Sequence, residues 1–276
     1  MTYPATSWRI LVTPPAAGAW NMAVDEALLI FIGSGKSLPT LRLYAWEPPC
    51  LSLGYAQTKE DADRQLLNAL GWHLVRRPTG GKAILHIDEL TYSVIAPLDE
   101  PRLTGGVLES YRRLSDALLA ALLSLGIAAK TEPHYDLPID SNPKSAVCFE
   151  IPSNYEITAG GKKLIGSAQA RRREGILQHG TLPLHGDIGR ITLGLSYPSE
   201  VERELSAQRV RTRATTVESV TGAKITWQTA ADAFQAAFSR SLGLTLISTP
   251  LSTSELAAVD ELVMTKYSHP TWTDRI

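Results

Sequence analysis

Residues 145–180 read SAVCFEIPSNYEITAGGKKLIGSAQARRREGILQHG, and this stretch decides how the rest of the chain is interpreted. Apolar and polar side chains alternate in NYEITAGGKKLIGSA and again in GILQHGTLPL, which is typical of β-strands. Gly160 and Gly161 lie in the middle of the first run and divide it into two strands, so the chain needs a tight turn there. The pattern therefore predicts a meander of strands around this turn.

The same stretch contains a candidate nucleophile and a nearby amine. Cys148 lies between small and apolar neighbours, and Lys163 follows 15 positions later on the KKLIGSA run. If the two side chains meet across neighbouring strands, the ammonium lowers the thiol pKa and produces a thiolate that can accept an acyl group. The residue types alone favour a buried, inert cysteine and a solvated lysine, because free cysteine is among the most buried residues.

Composition limits the class of protein. The 276 residues, 44% of them hydrophobic, are enough for one large domain or two small ones. A net charge of -1 gives no overall attraction to nucleic acid or to a membrane surface. The chain has two cysteines, no secretory signal pattern and no apolar run near the ~18 residues of a membrane span. We therefore expect a soluble, cytoplasmic protein with reduced thiols.

Further elements flank the central stretch. We predict a helix with Asn21 as its N-cap that ends near Gly33, followed by two sheet strands in TLRLYAW and CLSLGY. GGVLESYRRLSDALLAALLSLG predicts a long amphipathic helix, and the segment TEPHYDLPIDSNPKSAV after it predicts a lid or binding loop. No linker or repeat interrupts the pattern, so we expect a single domain, 1–276, with C-terminal helices over about 225–276.

The segment RRPTGGKAIL contains a turn at residues 78–81 between two predicted strands. Its glycines permit either a loop that approaches a ligand closely or an ordinary hairpin. A phosphate-binding P-loop is excluded, because Ala83 and Arg76 stand where that motif needs Ser or Thr and Gly. The six histidines show no metal-ligand spacing, so we expect no metal site, and Cys50 is predicted to be a packing residue.

Three segments in order, RRPTGGKAILHIDELTYSV, VCFEIPSNYEI and GGKKLIGSAQARRREGILQHGTLPL, resemble motifs of the biotin/lipoate protein ligase superfamily. They are most similar to the cysteine-dependent octanoyltransferases of lipoate assembly, over the chain from about Trp20 to the C-terminal helix. The resemblance implies an α+β catalytic domain with a large mixed β-sheet, flanking helices and a smaller β meander. The strands and helices predicted above agree with that fold.

The resemblance also implies roles for individual residues. Cys148 matches the acyl-accepting nucleophile, and Lys163 matches the lysine that contacts the acyl carbonyl. The implied substrate-binding residues are Arg77, Gly80, Gly81, Lys82, His86, Gly166, Ser167, Ala168, Gln178, His179 and Gly180. Lys82 departs from the family pattern, in which arginine is more usual. Apolar groups around Gly80, Ala83, Leu164 and Ala168 predict a preference for a medium-length saturated chain.

The implied reaction passes an octanoyl group from octanoyl-acyl carrier protein to Cys148, and then to a lysine of a lipoyl-accepting protein. The acceptor is a glycine cleavage H protein or an E2 lipoyl domain, and we expect a monomeric enzyme without a cofactor. The run Arg171, Arg172, Arg173 is either a solvated turn or a docking site for the acidic carrier.

Three alternatives stay open. An ATP-dependent lipoate ligase shares the pocket and the lysine but needs no cysteine, and the donor of a transferase can also be an already octanoylated protein. A non-catalytic acyl-protein binding module requires an inert Cys148. The presence of Cys148 and the short chain after Leu184 favour the transferase.

Overall fold

The structure is a computed structural model that describes residues 3–132 and 156–276. Cys148 lies outside the described residues, and so does most of the predicted lid segment. The first two residues of that segment, Thr131 and Glu132, end a β-strand.

A large mixed sheet forms the centre of the fold. The described strands β1 to β11 span Thr6–Val12, Thr40–Tyr44, Cys50–Leu53, His73–Arg76, Ile84–His86, Glu89–Ala96, Ala129–Glu132, Glu156–Ala159, Lys162–Arg172, Gly175–Pro183 and Leu244–Ser248. Eight of them pair in the order β11-β1-β2-β6-β10-β9-β8-β7. Strand β1 is parallel to β2 and β11, and all neighbours from β2 to β7 are antiparallel.

The predicted meander is confirmed, since β8, β9 and β10 are successive antiparallel neighbours. Gly160 and Gly161 form the β8–β9 turn with φ angles of 57° and 76°, a conformation that glycine adopts without a steric penalty. These strands extend the large sheet. The separate smaller sheet has the order β4-β3-β5 and comes from an earlier part of the chain.

The turn at residues 78–81 does not close a hairpin. Strand β3 lies between β4 and β5, parallel to β4 and antiparallel to β5, so the two strands that flank the turn never pair with each other. The segment 77–83 is therefore a crossing loop. Sequence spacing alone does not reveal the intervening strand, because its residues precede both flanking strands in the chain.

Helices cover both faces of the large sheet. In chain order α1 to α8 span Gly18–Gly33, Arg64–Ala69, Val107–Ser124, Glu200–Arg213, Val217–Thr221, Trp227–Leu242, Thr253–Leu262 and Pro270–Thr273. The core on one face packs Leu41, Leu43 and Val94 of the sheet against α3 and α6. On the other face α1 packs against Tyr44, Ile95 and α7. The expected α+β architecture is confirmed.

The first helix begins three residues before the predicted N-cap. Asn21 lies inside α1, fully buried, where its side-chain amide donates to the carbonyls of Ala16 and Ala45. Its Oδ1 accepts a hydrogen bond of 2.6 Å from Arg42. The prediction of an Asn21 N-cap was wrong because this polar side chain has long-range partners in the interior.

Cys50 is a packing residue, as predicted. Its side chain is fully buried, and burial raises the pKa of its thiol far above the ordinary value. A Cβ placed on Gly18 would lie 2.5 Å from its sulfur, so the thiol fills the space that the glycine leaves. In residues 3–132 and 156–276, no helix is both long enough and apolar enough to span a bilayer.

Candidate functional site

A β-bulge determines which side chains share a face with Lys163. Going along β8 and β9, Ala159 pairs with Lys162 and Thr158 with Lys163, but Ile157 pairs with Ile165, so Leu164 is the extra residue. Directly paired residues point to the same face of a sheet. Lys163 therefore lies on the face of Thr158 and Glu156, together with Gly166 and Ala168 beyond the bulge. In a regular strand Lys163 would share a face with Ile165 and Ser167.

Lys163 is held in a buried ion pair. Its Nζ lies 2.5 Å from Glu156 Oε1, and each side chain is 3% exposed. Its carbonyl accepts a hydrogen bond of 3.0 Å from the backbone N–H of Thr215, just after α4. The side chain and the backbone of this lysine are thus both fixed, which contradicts a solvated lysine.

A narrow cavity lies on this face of the large sheet, next to the crossing loop. The sequence-predicted residues that line it are Arg77, His86, Gly166, Ala168, His179 and Gly180. The pairing of Ala168 with His179 and of Gly166 with Thr181 brings β9 and β10 together at the cavity wall. The structure therefore assembles part of the predicted set from strands and a loop that are distant in sequence.

Two predicted residues point away from the cavity. Ser167 Oγ lies 2.7 Å from the Tyr92 hydroxyl, and Gln178 Nε2 donates to that hydroxyl at 3.1 Å. Tyr92 belongs to the core that contains Phe234 and Phe238, on the opposite face. Side chains alternate between the two faces of the sheet, so Ser167 and Gln178 lie on the face opposite the cavity.

Gly80, Gly81 and Lys82 belong to the crossing loop and do not line the cavity. Arg77 fixes their backbone, because its Nη2 donates to the carbonyls of Gly80 at 2.8 Å and Lys82 at 2.7 Å. A Cβ on Gly54 would lie 1.8 Å from the Gly81 carbonyl oxygen, so the chain just after β3 approaches this loop at a distance that only glycine permits.

Two residues predicted to surround an apolar chain lie in hydrophobic cores. Ala83 packs with Leu51 and Leu53 of the small sheet, and Leu164 packs in the core beneath α3 and α6. Of the apolar set, Ala168 lines the cavity. The prediction failed for Leu164 because it is the extra residue of the bulge, and it packs in the same core as its neighbour Ile165.

The two histidines of the cavity are held by other side chains. The His86 ring nitrogens lie 2.8 Å from Ser52 Oγ and 2.8 Å from Glu89 Oε1, and its ring stacks on Trp46 with centroids 3.9 Å apart. Both ring nitrogens of His86 are therefore engaged by protein side chains, and one ring face is covered by Trp46.

His179 Nε2 lies 2.6 Å from Thr79 Oγ1, and Nδ1 lies 3.4 Å from Asp25 Oδ2. Burial lowers the pKa of His179 below its ordinary value, although Asp25 opposes this. Burial by itself raises the pKa of Asp25, but Arg42 and the hydrogen bond from His179 outweigh it and hold the pKa below its usual range. A neutral His179 and the Asp25–Arg42 ion pair therefore add no net charge of their own beside the apolar side chains of the cavity.

Several cavity residues carried no local sequence signal. Met22, Tyr44, Trp46, Ile84, Thr91 and Thr181 also line the cavity. Tyr44 pairs with Thr91, and Thr91 with Thr181, so only the strand register identifies them as neighbours. The buried hydroxyl of Thr181 has no hydrogen-bond partner in the described part of the chain, which leaves it available to a ligand.

The three consecutive arginines lie at the far end of β9. Arg171 donates to the Leu103 carbonyl at 2.6 Å and Arg172 lies 3.8 Å from Glu26, while Arg173 is exposed. Arg172 follows Lys163 by nine positions, roughly 30 Å along an extended strand. Docking of a carrier protein by this run stays a prediction. In residues 3–132 and 156–276, no group of three or more His, Cys, Asp or Glu could hold a metal ion.

Known proteins resemble this chain over nearly its full length. Residues 17–239 match the family model of the lipoyl protein ligase A/B catalytic domain. Octanoyltransferase LipM of Symbiobacterium thermophilum is 40% identical over 273 residues, which cover 98% of this chain and 99% of the relative. Octanoyltransferase LipM of Bacillus subtilis is 37% identical over 270 residues, which cover 96% and 97% of the two chains.

Solved structures confirm the expected fold. The bipartite lipoate protein ligase of Thermoplasma acidophilum has a TM-score of 0.79 at 24% identity, covering 98% of this chain and 96% of that one. A lipoate-protein ligase A bound with ATP has a TM-score of 0.78 at 26% identity, with coverage of 97% and 98%.

Proposed function

Because this chain belongs to the lipoyl protein ligase A/B catalytic domain family, we propose that it is an octanoyltransferase of lipoate biosynthesis. Relatives named octanoyltransferase LipM, at 37% to 40% identity over almost the whole chain, support this acyltransferase activity. The structural observation that carries the proposal is the buried Lys163, which the bulge turns onto the face of the ligand cavity.

We propose that Cys148 carries the acyl group. Its thiolate attacks the octanoyl thioester of the donor, the donor's phosphopantetheine thiol leaves, and the octanoyl group stays on the enzyme as a thioester. The free amine of an acceptor lysine then attacks this thioester, forms the amide and expels the Cys148 thiolate. The proton that the amine loses balances the one that the departing phosphopantetheine thiolate takes up to become a thiol. Two steps replace one difficult transfer. The motif that contains Cys148 supports this role. Cys148 itself lies outside the described residues.

Lys163 has a different role in this mechanism. An ammonium near the thioester carbonyl stabilises the negative charge that develops on oxygen as the thiolate attacks. A donor fixed in advance does this best, and the contacts of Lys163 to Glu156 and Thr215 provide that rigidity. The same positive charge favours the thiolate form of a neighbouring cysteine.

The partners follow from the activity. The acceptor is a lipoyl-domain protein, and we propose an E2 lipoyl domain or a glycine cleavage H protein. We further propose octanoyl-acyl carrier protein as the donor and a monomeric enzyme. Assays of octanoyl-acyl carrier protein and of an octanoylated H protein against one acceptor domain identify the donor. Transfer that requires ATP would instead favour a ligase.

The cavity predicts chain-length selectivity. Ala168→Leu places a larger apolar side chain on the cavity wall beside His179, its partner on β10, so an octanoyl chain loses buried methylenes worth roughly 0.8 kcal/mol each. We expect kcat/KM for octanoyl relative to butanoyl donors to fall about tenfold. Competition between the two donors, read by mass spectrometry of the acceptor, measures this ratio.

The matched control is Ala236→Leu, the same change at a half-buried position on α6, across the sheet from the cavity. It should leave the ratio unchanged. A ratio for Ala168→Leu equal to that of the wild type would show that the acyl chain binds elsewhere.

A further inference from the structure

We propose that Glu156 is a positioning residue for acyl transfer, which acts through the Lys163 ammonium and does not touch the substrate. The inference rests on the proposed function and extends it to Glu156, which lies in the segment VCFEIPSNYEI but to which the resemblance assigns no role. Its basis is the placement of Glu156 and Lys163 on one sheet face by the β8–β9 bulge.

The backbone brings this pair together by a specific device. Glu156 begins β8, and the bulge at Leu164 turns Lys163 toward it. Without the extra residue, the pairing of Ile157 with Ile165 would not coexist with that of Thr158 with Lys163. The bulge leaves Leu164 without a partner residue on β8, and bulges are over-represented beside active sites.

The charge balance explains why a carboxylate is needed there. A lysine that is 3% exposed has lost most of its hydration, and burial of an ammonium without a counter-charge favours the neutral amine. Glu156 Oε1 at 2.5 Å supplies that charge.

The geometry also restricts the lysine. Its long side chain has many rotamers, and a buried partner at one end selects a small subset of them. The bond from Thr215 N–H to the Lys163 carbonyl fixes the other end at the backbone. Glu156 therefore determines the position of Lys163 Nζ. This role predicts an effect on the rate of the first chemical step, which is acylation of Cys148.

The experiment measures acylation of Cys148 alone. Enzyme is mixed with octanoyl-acyl carrier protein without acceptor, and intact-protein mass spectrometry follows the octanoyl-enzyme over time. Glu156→Gln should slow acylation about 100-fold, a loss of the size seen when one oxyanion donor is removed. Glu156→Asp, which keeps the charge, should recover part of the rate.

A double-mutant cycle separates positioning from a general structural effect. Lys163→Met should slow acylation at least as much as Glu156→Gln. If Glu156 acts only through Lys163, the double variant Glu156→Gln/Lys163→Met should acylate as slowly as Lys163→Met alone, with no further loss. Independent roles would instead multiply the two losses.

Glu255→Gln is the matched control for stability. It breaks another buried ion pair, Arg9–Glu255, whose atoms are 3.1 Å apart and which joins β1 to α7 far from Lys163. We expect a lower melting temperature and a wild-type acylation rate. The proposal is overturned if Glu156→Gln acylates at the wild-type rate, if the two losses multiply, or if Glu255→Gln slows acylation equally. Failure of the proposed function looks different, because the wild type would then form no octanoyl-enzyme.

Discussion

Replacing Cys148 with alanine should abolish both the octanoyl-enzyme and the octanoylated acceptor. The sulfur is the only atom of the proposed mechanism that carries the acyl group, so no slower route through the same intermediate remains. Wild type mixed with octanoyl-acyl carrier protein should gain one octanoyl mass, which hydroxylamine removes and an acceptor lipoyl domain discharges. Cys148→Ser should react slowly, because a hydroxyl is a weak nucleophile at neutral pH, and its ester should persist.

Cys50→Ala is the control for this experiment. Cys50 is the other cysteine, and burial raises its thiol pKa so far that it stays protonated and unreactive at neutral pH. Its alanine variant should form the octanoyl-enzyme like the wild type. Turnover by Cys148→Ala, or acylation of the wild type only with ATP, would replace the transferase with a ligase.

Replacing Lys163 should slow acylation by two to three orders of magnitude, roughly the loss that follows removal of one preorganised oxyanion donor. The structure adds a consequence for stability. Lys163→Ala takes the ammonium away from Glu156, a carboxylate that is 3% exposed, and breaking a buried pair in this way costs about 3–5 kcal/mol. Acylation and the free energy of unfolding should therefore both fall.

The two effects can be measured separately. Lys163→Met combined with Glu156→Gln removes both charges, so the free energy of unfolding in urea should recover most of the loss while acylation stays slow. Lys162→Ala is the neighbouring control, because Lys162 Nζ donates to the Arg211 carbonyl at 2.8 Å at the protein surface. It should change neither quantity by much. An acylation rate for Lys163→Met within a few-fold of the wild type would remove Lys163 from the mechanism.

Much of the fold could be predicted from local patterns. The meander around Gly160–Gly161, the amphipathic helix α3 and the buried Cys50 all follow from side-chain periodicity or residue type within a few positions. The prediction that α1 starts after an Asn21 N-cap was wrong, because the partners of the Asn21 side chain include Ala45 and Arg42, more than 20 positions away.

The site shows the same division. The motifs indicated Lys163, Ala168 and His179 as functional, and the structure brings Ala168 and His179 to one cavity on the face that Lys163 also occupies. The motifs did not distinguish the cavity residues from Ser167 and Gln178, whose side chains contact the Tyr92 hydroxyl on the other face of the sheet. Residue types are visible in a motif, whereas the face to which each side chain points depends on the register.

The sequence by itself determined the elements, the family and the residues able to do acyl-transfer chemistry, because each depends on neighbours along the chain. Only the tertiary structure decided that β3 separates the strands on either side of the crossing loop, and that Glu156 is the partner of Lys163. The pairing of Glu156 with Lys163 depends on one extra residue in β9, Leu164. A single bulge reverses the face of every side chain beyond it, and strand pairing, which is a long-range interaction, decides where that bulge forms.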